Sequence, residues 1–445
     1  MTRIVLVGAG SVVFTRNLLG DFLSYPELRD AEIVLHDIDP DRLRTAERMA
    51  AWTGQALGAS PRIEASLDRR EALRGADFVV NTIQVGGARA TQLDFEIPGS
   101  YGLQYTINDT INVGGVFRAL RSIPVVLGIV RDIEDVCPDA RLLNYTNPMS
   151  MLIWAISERS ELPVVGLCHS VYWTVRSLAE YTGVDWREVE ADSAGVNHLA
   201  FIRRISHRGE DLYPAIDAAA RADRIPDDDL VRAELYRRLG FWPTESSEHH
   251  AEYNPWFIGK DDAVAKFHIP IDEYLRRVAD NLAEFDDIKR RLDAGEPFEI
   301  ERSGEYAAVI VHAMTTGEPN RIVANVMNPG LIDNLAPDAC VEVPAMVDRD
   351  WIHPIPAGAL PRQLAAYIHP AVDAHALTVR AALDEDRDAI YHAVMQDPLI
   401  QARLTLDEVW RLTDELIAAE AEWLPTWLGG AVETSRATGA APTPA

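Results

Sequence analysis

The first strand of the chain runs straight into a glycine turn, and that junction limits the fold more than any other feature of its 445 residues. Residues 3–8, Arg-Ile-Val-Leu-Val-Gly, form a short β-branched run, Gly8-Ala9-Gly10-Ser11 turns the chain, and residues 17–28 read as helix. A strand feeding a helix in this way calls for a second strand laid parallel to the first, because the helix must cross back over the sheet. Apolar runs at 31–37, 77–83, 140–144 and 163–167 supply such strands. Helical stretches separate them, at 41–57 and from about Gly115 to Val136, the latter kinked or restarted at Pro124. The pattern predicts an α/β chain whose N-terminal domain, 1–190, is a Rossmann-like doubly wound parallel sheet. After about Gly183 the alternation stops. Isolated strands at 193–206, 321–328 and 340–343, with long helices at 271–294, 370–396 and 406–424, predict a C-terminal α+β domain over 191–433. That domain is expected to carry substrate, metal and oligomer contacts. Residues 434–445, rich in Ala, Thr, Pro and Gly, read as a disordered tail.

Strand, Gly8-Ala9-Gly10-Ser11, helix is also what a pyrophosphate requires. Glycines let the backbone approach the phosphates, and the helix start offers free N–H groups and a positive dipole end. Position 13, where the usual fingerprint has a third glycine, is Val13. Asp37 closes the second strand, where a carboxylate can take the ribose hydroxyls and would repel a 2′-phosphate. NAD+ is therefore the expected cofactor, held by Gly8, Ala9, Gly10, Ser11 and Asp37. The alternative is a glycine turn in a flavodoxin-like domain with no cofactor.

Charge excludes some partners. Lys plus Arg number 42 against 69 Asp plus Glu, a net charge of −27. Such a surface repels phosphate backbones and anionic lipids, so neither nucleic acid nor membrane is expected as a partner. There is no run of eighteen apolar residues and no leader pattern at the start. The three cysteines, 137, 168 and 340, cannot make a disulfide framework. These features lead us to expect a cytoplasmic protein.

Two short segments past the cofactor half carry chemistry. Cys168, in Gly166-Leu167-Cys168-His169-Ser170-Val171, ends a parallel strand, the end where ligands bind in open α/β sheets. With the imidazole of His198, in Gly195-Val196-Asn197-His198, it could bind a divalent cation and leave positions open for water or substrate. Taken alone, the pair is equally a buried hydrophobic cysteine and a satisfied core histidine.

These motifs, taken in order, resemble the NAD- and metal-dependent family 4 glycoside hydrolases across nearly the whole chain. The resemblance runs through 7–11, Gly99–Gln104, Gly114-Gly115 with Arg118–Pro124, Asn144-Tyr145-Thr146-Asn147-Pro148, Cys168–Val171, Gly195–His198 and Met395–Leu399. It implies manganese at Cys168 and His198 and sugar contact by Asn147. Arg89 lies in a matching motif and is a second candidate for substrate contact. Cys-His-Ser-Val at 168–171 resembles the α-galactosidase and α-glucosidase branch acting on unphosphorylated sugars. Cys-His-Glu-Val would resemble α-galacturonidases. The stretch Thr244–Phe257 is similar to the α-galactosidase version. A glycoside is thus the expected substrate, and a homodimer or homotetramer the expected assembly.

The resemblance also implies a route. NAD+ takes hydride from C3 of the sugar, a base removes the acidified C2 proton, and the leaving group departs by elimination. Water then adds and hydride returns, with the metal as Lewis acid throughout. Tyr253 is the candidate base, with Glu248, His249 and Glu252 competing from the same segment. His169 and Asp109 are candidates for the acid that protonates the leaving oxygen. A different class, a malate/lactate-type dehydrogenase, would share the cofactor half but need an arginine clamp for a carboxylate and no Cys–His pair.

Overall fold

The computed structural model describes residues 1–222 and 224–432. The tail expected at 434–445 lies outside the described residues. Six strands form the parallel half of the sheet: β1 (Arg3–Val7), β2 (Glu32–His36), β3 (Arg62–Ser66), β4 (Phe78–Asn81), β5 (Arg141–Asn144) and β6 (Val164–Gly166). They lie side by side in the order β3-β2-β1-β4-β5-β6, all parallel. The order reverses between β1 and β4, which opens the crevice where ligands bind in such sheets.

Period-two burial explains why these segments are strands. Val5, Val7, Val34, Val79 and Leu142 enter one core, with the helices Val113–Val136, Met149–Arg159 and Arg362–Asp384. Ile4, Leu6, Ile33, Leu35, Phe78, Val80 and Leu143 enter a second core on the other face, with Val12–Ser24, Pro40–Ala56 and Tyr306–Thr316. Both faces are covered, so these strands are apolar throughout, except β3 at the sheet edge, which is polar and largely exposed. At the start of Pro40–Ala56, the Asp39 carboxylate accepts from the N–H groups of Asp41 and Arg42, and Pro40 sits where no N–H is needed.

Helix Val113–Val136 runs unbroken past Pro124 and starts two residues earlier than its sequence suggests. It is long and apolar enough to cross a membrane, yet 78% of its most apolar stretch is buried in the fold. Here it is the central core helix, packed on Met149–Arg159 and Arg362–Asp384.

The second half of the chain extends the same sheet. The remaining strands are β7 (Val189–Val196), β8 (Leu199–His207), β9 (Glu210–Asp211), β10 (Trp242–Pro243), β11 (Asn320–Met327), β12 (Cys340–Val347) and β13 (Ile352–Pro354). β11 joins antiparallel to β6, and the order continues β12-β7-β8-β10, with β13 on β12 and β9 on β8. The expected isolated strand at 193–206 is instead the β7–β8 hairpin, Val196 facing Leu199 across the turn Asn197-His198. His198 adopts φ 63°, the left-handed conformation that lets two residues reverse the chain. The expected helix 370–396 is two helices, Arg362–Asp384 and Arg387–Val394, broken at left-handed Glu385 and restarted by the Asp386 cap.

Candidate active site

The turn after β1 is shaped as the glycines predict. Gly8 has φ +91°, and a Cβ there would lie 2.9 Å from the Ile83 nitrogen. A Cβ on Gly10 would lie 2.5 Å from Asp37 Oδ2, which accepts the Gly10 N–H at 2.7 Å. Gly8, Gly10, Ser11 and Asp37, with Tyr274, Leu282 and Trp423, line a cavity of about 710 Å³, whereas Ala9, expected among them, is buried in the core and is not in its wall. The cradle has room for backbone and ligand but for no side chain at 8 or 10, which fits a dinucleotide.

A second cavity of about 380 Å³ continues from the first. Ser11, Thr82, Ile83, Gln84, Arg277 and Asn281 line both. Its wall holds Asn147, Cys168, His169 and His198, the residues the sequence singles out, together with Asp109. The C-terminal ends of β5 and β6 deliver Asn147, Cys168 and His169, the β7–β8 turn delivers His198, and the segment leading into helix Val113–Val136 delivers Asp109. Asn81 donates to Asn144 Oδ1 at 2.8 Å and to Thr146 Oγ1 at 3.2 Å, which fixes the loop leading to Asn147.

Two further groups complete the cluster: Glu245, which the sequence does not single out, and His249, which it offers only as a competing base. Glu245 Oε2 lies 3.5 Å from His198 Nε2 and 3.9 Å from Cys168 Sγ, so thiol, imidazole and carboxylate converge on one point. His249 stands between Glu245, at 3.5 Å, and Asp109, at 3.9 Å. Asp109, His198 and His249 form a second such group. Thr110 Oγ1 lies 3.1 Å from His198 Nδ1 and so fixes the ring, leaving Nε2 for a cation. One soft and two harder donors suit a divalent transition metal with open positions.

Charges in the cluster follow from burial and neighbours. Burial raises Glu245, but the surrounding His198, His249 and His169 outweigh it and hold the carboxyl at about 2. Burial, then the Glu245 and Glu342 carboxylates, push the Cys168 thiol well above its usual range. His169 Nδ1 lies 2.8 Å from Glu305 Oε1. Burial works against its charged form, yet the hydrogen bond and charge of Glu305 prevail and raise it. Asp109 is buried, which raises its carboxyl, but Arg118, His249 and His198 bring it below the ordinary value. It accepts from Thr110, Arg118 and, at 3.4 Å, Asn147. A carboxylate held ionised has no proton to donate near neutrality, so Asp109 anchors its neighbours and does not suit the acid role expected of it.

The other expectations for this segment also change. Tyr253 lines neither cavity. Its ring is buried 6.0 Å from that of His249, its hydroxyl stands near Thr110 without a well-formed hydrogen bond among the described residues, and burial pushes it well above the tyrosine range. Glu252 is structural: its two oxygens accept the N–H groups of Thr106, Ile107 and Asn108. Glu248 pairs with Arg277 at 3.1 Å. Only His249 of the competing trio faces the second cavity. Arg89 is exposed on helix Gly87–Ser100, 3.5 Å from Glu96, and reaches neither cavity.

A dinucleotide cradle opening onto a thiol–imidazole–carboxylate cluster defines the class: an α/β enzyme that places a nucleotide beside a cation and a small polar substrate. The chain belongs to the family 4 glycosyl hydrolases, whose model matches residues 3–184 and whose C-terminal domain matches residues 193–400. It is 40% identical to an alpha-galactosidase of Bacillus subtilis over 96% of this chain and 100% of that protein. An alpha-galactosidase of Rhizobium meliloti is 35% identical over 96% of this chain and 89% of its own length. Among solved structures, the 6-phospho-beta glucosidase from Thermotoga maritima, determined with manganese, NAD+ and glucose-6-phosphate, shares the fold. The TM-score is 0.79 at 22% identity, covering 95% of this chain and 99% of that one. The family match displaces the dehydrogenase alternative.

Proposed function

We propose that this enzyme hydrolyses unphosphorylated α-galactosides, with NAD+ in the larger cavity and Mn2+ at Cys168, His198 and Glu245. The observation that carries the reading is the donor cluster in the wall of the smaller cavity, which adjoins the nucleotide cradle. The cations of the smaller cavity are already paired, which argues against a phosphosugar or a uronate. Arg118 bonds Asp109 and Tyr274, and Arg277 bonds Glu248 and Glu273. The two α-galactosidase relatives favour galactosides over glucosides.

Bound NAD+ supplies a reversible hydride acceptor for a sugar carbon, and the cation a Lewis acid for sugar oxygens. The chain supplies position and protons. Asn147, steadied by Asp109, offers its amide to sugar hydroxyls. His169, anchored through Nδ1 by Glu305, has Nε2 left to protonate the leaving oxygen. Tyr253 is the base expected from the family resemblance. His249 is a second reading, favoured by its place in the cavity wall.

We further propose cytoplasmic action as a homodimer or homotetramer and a domain division near residue 190. A panel of nitrophenyl α- and β-glycosides with NAD+, Mn2+ and a thiol tests the substrate. Preference for 6-phosphoglycosides, glucosides or galacturonides would overturn the reading. Cleavage in heavy water should place deuterium at C2 of the released sugar, whereas carboxylate-pair chemistry leaves that bond intact. Comparison of Tyr253→Phe with His249→Asn identifies the base, whose loss should cost on the order of 10² or more in turnover.

A further inference from the structure

Glu342 is the third residue of β12, with none of its surface exposed, and it lines neither cavity. In the sheet it stands across from Gly195 of β7 on one side and Asn325 of β11 on the other. Its Oε2 accepts from Asn197 Nδ2 at 3.4 Å and from Asn325 Nδ2 at 3.3 Å. The same Asn325 amide lies 3.3 Å from the carbonyl oxygen of Gly166. One carboxyl thus ties together two segments far apart in sequence. Gly166 ends β6 two residues before Cys168, and Asn197 is the turn residue immediately before His198.

Backbone pairing at this seam is sparse. β11 meets β6 at one residue pair, Asn325 with Gly166, and β12 meets β7 at one pair, Glu342 with Gly195. The strand end carrying Cys168 and the hairpin turn carrying His198 are therefore not locked together by a ladder. The Asn197–Glu342–Asn325–Gly166 chain of side-chain bonds makes that link instead. Glu342 Oε1, Asn197 Oδ1 and Asn325 Oδ1 are buried without partners among the described residues, an arrangement costlier than an apolar filling of the same space.

We propose that Glu342 is a positioning residue for the metal site, setting the separation of Cys168 and His198 through Asn325 and Asn197. The inference rests on reading Cys168, His198 and Glu245 as the cation site. Its role is geometric: Glu342 touches neither substrate nor cation, and it acts by restricting where the thiol and imidazole can stand. Outer partners of metal ligands typically change affinity by about 10–100-fold when removed.

Titration of the full chain with Co2+, without sugar, reads the site through the thiolate-to-cobalt absorption band. Glu342→Ala should weaken Co2+ binding by about 10–100-fold and alter the band, while the affinity for NAD+ stays unchanged. Glu342→Gln should restore binding to within a few-fold, since its carbonyl accepts both asparagine amides and its NH2 can serve an orphan oxygen. Asn325→Ala and Asn197→Ala each cut one arm at the cost of about one hydrogen bond, and so test the idea even if Glu342→Ala fails to fold. Each should weaken Co2+ binding. Wild-type affinity and an unaltered band in Glu342→Ala, or in both asparagine variants, would overturn the positioning role. A wild-type chain that shows no thiolate band would overturn the cation reading beneath it.

Discussion

Acidification should destabilise this protein through His250, and the size of the effect follows from its surroundings. The ring is fully buried, Nε2 lies 2.6 Å from the Thr244 carbonyl oxygen, and Nδ1 has no partner. One N–H is satisfied, but a second proton would sit unsolvated, and burial brings the pKa from 6.5 down to about 3. Between those values the unfolded chain holds a proton that the native ring lacks. Stability is then lost as pH falls below 6.5. From about pH 7.5 to about pH 5 the loss is about 2 kcal/mol, a sizeable share of the 5–15 kcal/mol of a typical domain. The bond to Thr244 also holds the backbone next to Glu245 and His249, so the site should loosen with it. Glu252 and Glu342 act in the opposite direction. Burial raises both carboxyls to about 7, so the stability they contribute is present at low pH and lost as pH rises through that value. Comparison with His250→Gln removes them, because both proteins carry both carboxyls. Urea unfolding followed by tryptophan fluorescence at the two pH values should show the variant gaining about 2 kcal/mol on wild type between them. An identical pH dependence in the two proteins would refute the argument.

Cys168→Ser should lose most activity and Co2+ binding with the fold intact by circular dichroism. Air oxidation should inactivate wild type and thiols protect it, and full activity in excess chelator would contradict the metal role. Gly10→Ala puts a methyl 2.5 Å from Asp37 Oδ2 and 2.8 Å from Arg42 Cβ, so the Kd for NAD+ should rise about tenfold or more, equivalent to 1.4 kcal/mol, and Tm should fall as the turn gives way. Arg121 is buried between Asp94 at 2.6 Å and Glu420 at 2.8 Å. Arg121→Met should cost about 3–5 kcal/mol in urea unfolding, and adding Asp94→Leu with Glu420→Leu should recover much of it.

The parts of this protein legible in the sequence are those decided by neighbours along the chain. β1, β2, β4, β5 and β6 show as apolar runs because both sheet faces are covered, and the Gly8–Ser11 turn shows because only glycine fits at 8 and 10. Cys168 shows because it follows a parallel strand. β3 does not show, since Arg62–Ser66 lies at the sheet edge with polar, largely exposed residues. Helix Gly87–Ser100 is masked by its glycines and Pro98. The β7–β8 hairpin is masked because its turn, Asn197-His198, has no glycine and is flanked by apolar residues on both sides.

The donor cluster was only half legible. Cys168 and His198 could be named from their motifs and His249 only as one of several bases, while Glu245 stands out only once Thr244–Tyr253 brings it to the thiol and imidazole. Tyr253, next in the same segment, falls behind His249 by that same fold. By itself, the sequence determined the nucleotide cradle and the strands that build it, because backbone conformation and burial period are local properties. Which carboxylate meets the thiol, which histidine faces the cavity and which buried glutamate spans the seam were decided by tertiary structure alone, because those contacts join residues dozens to more than a hundred positions apart and leave no period or spacing in the chain.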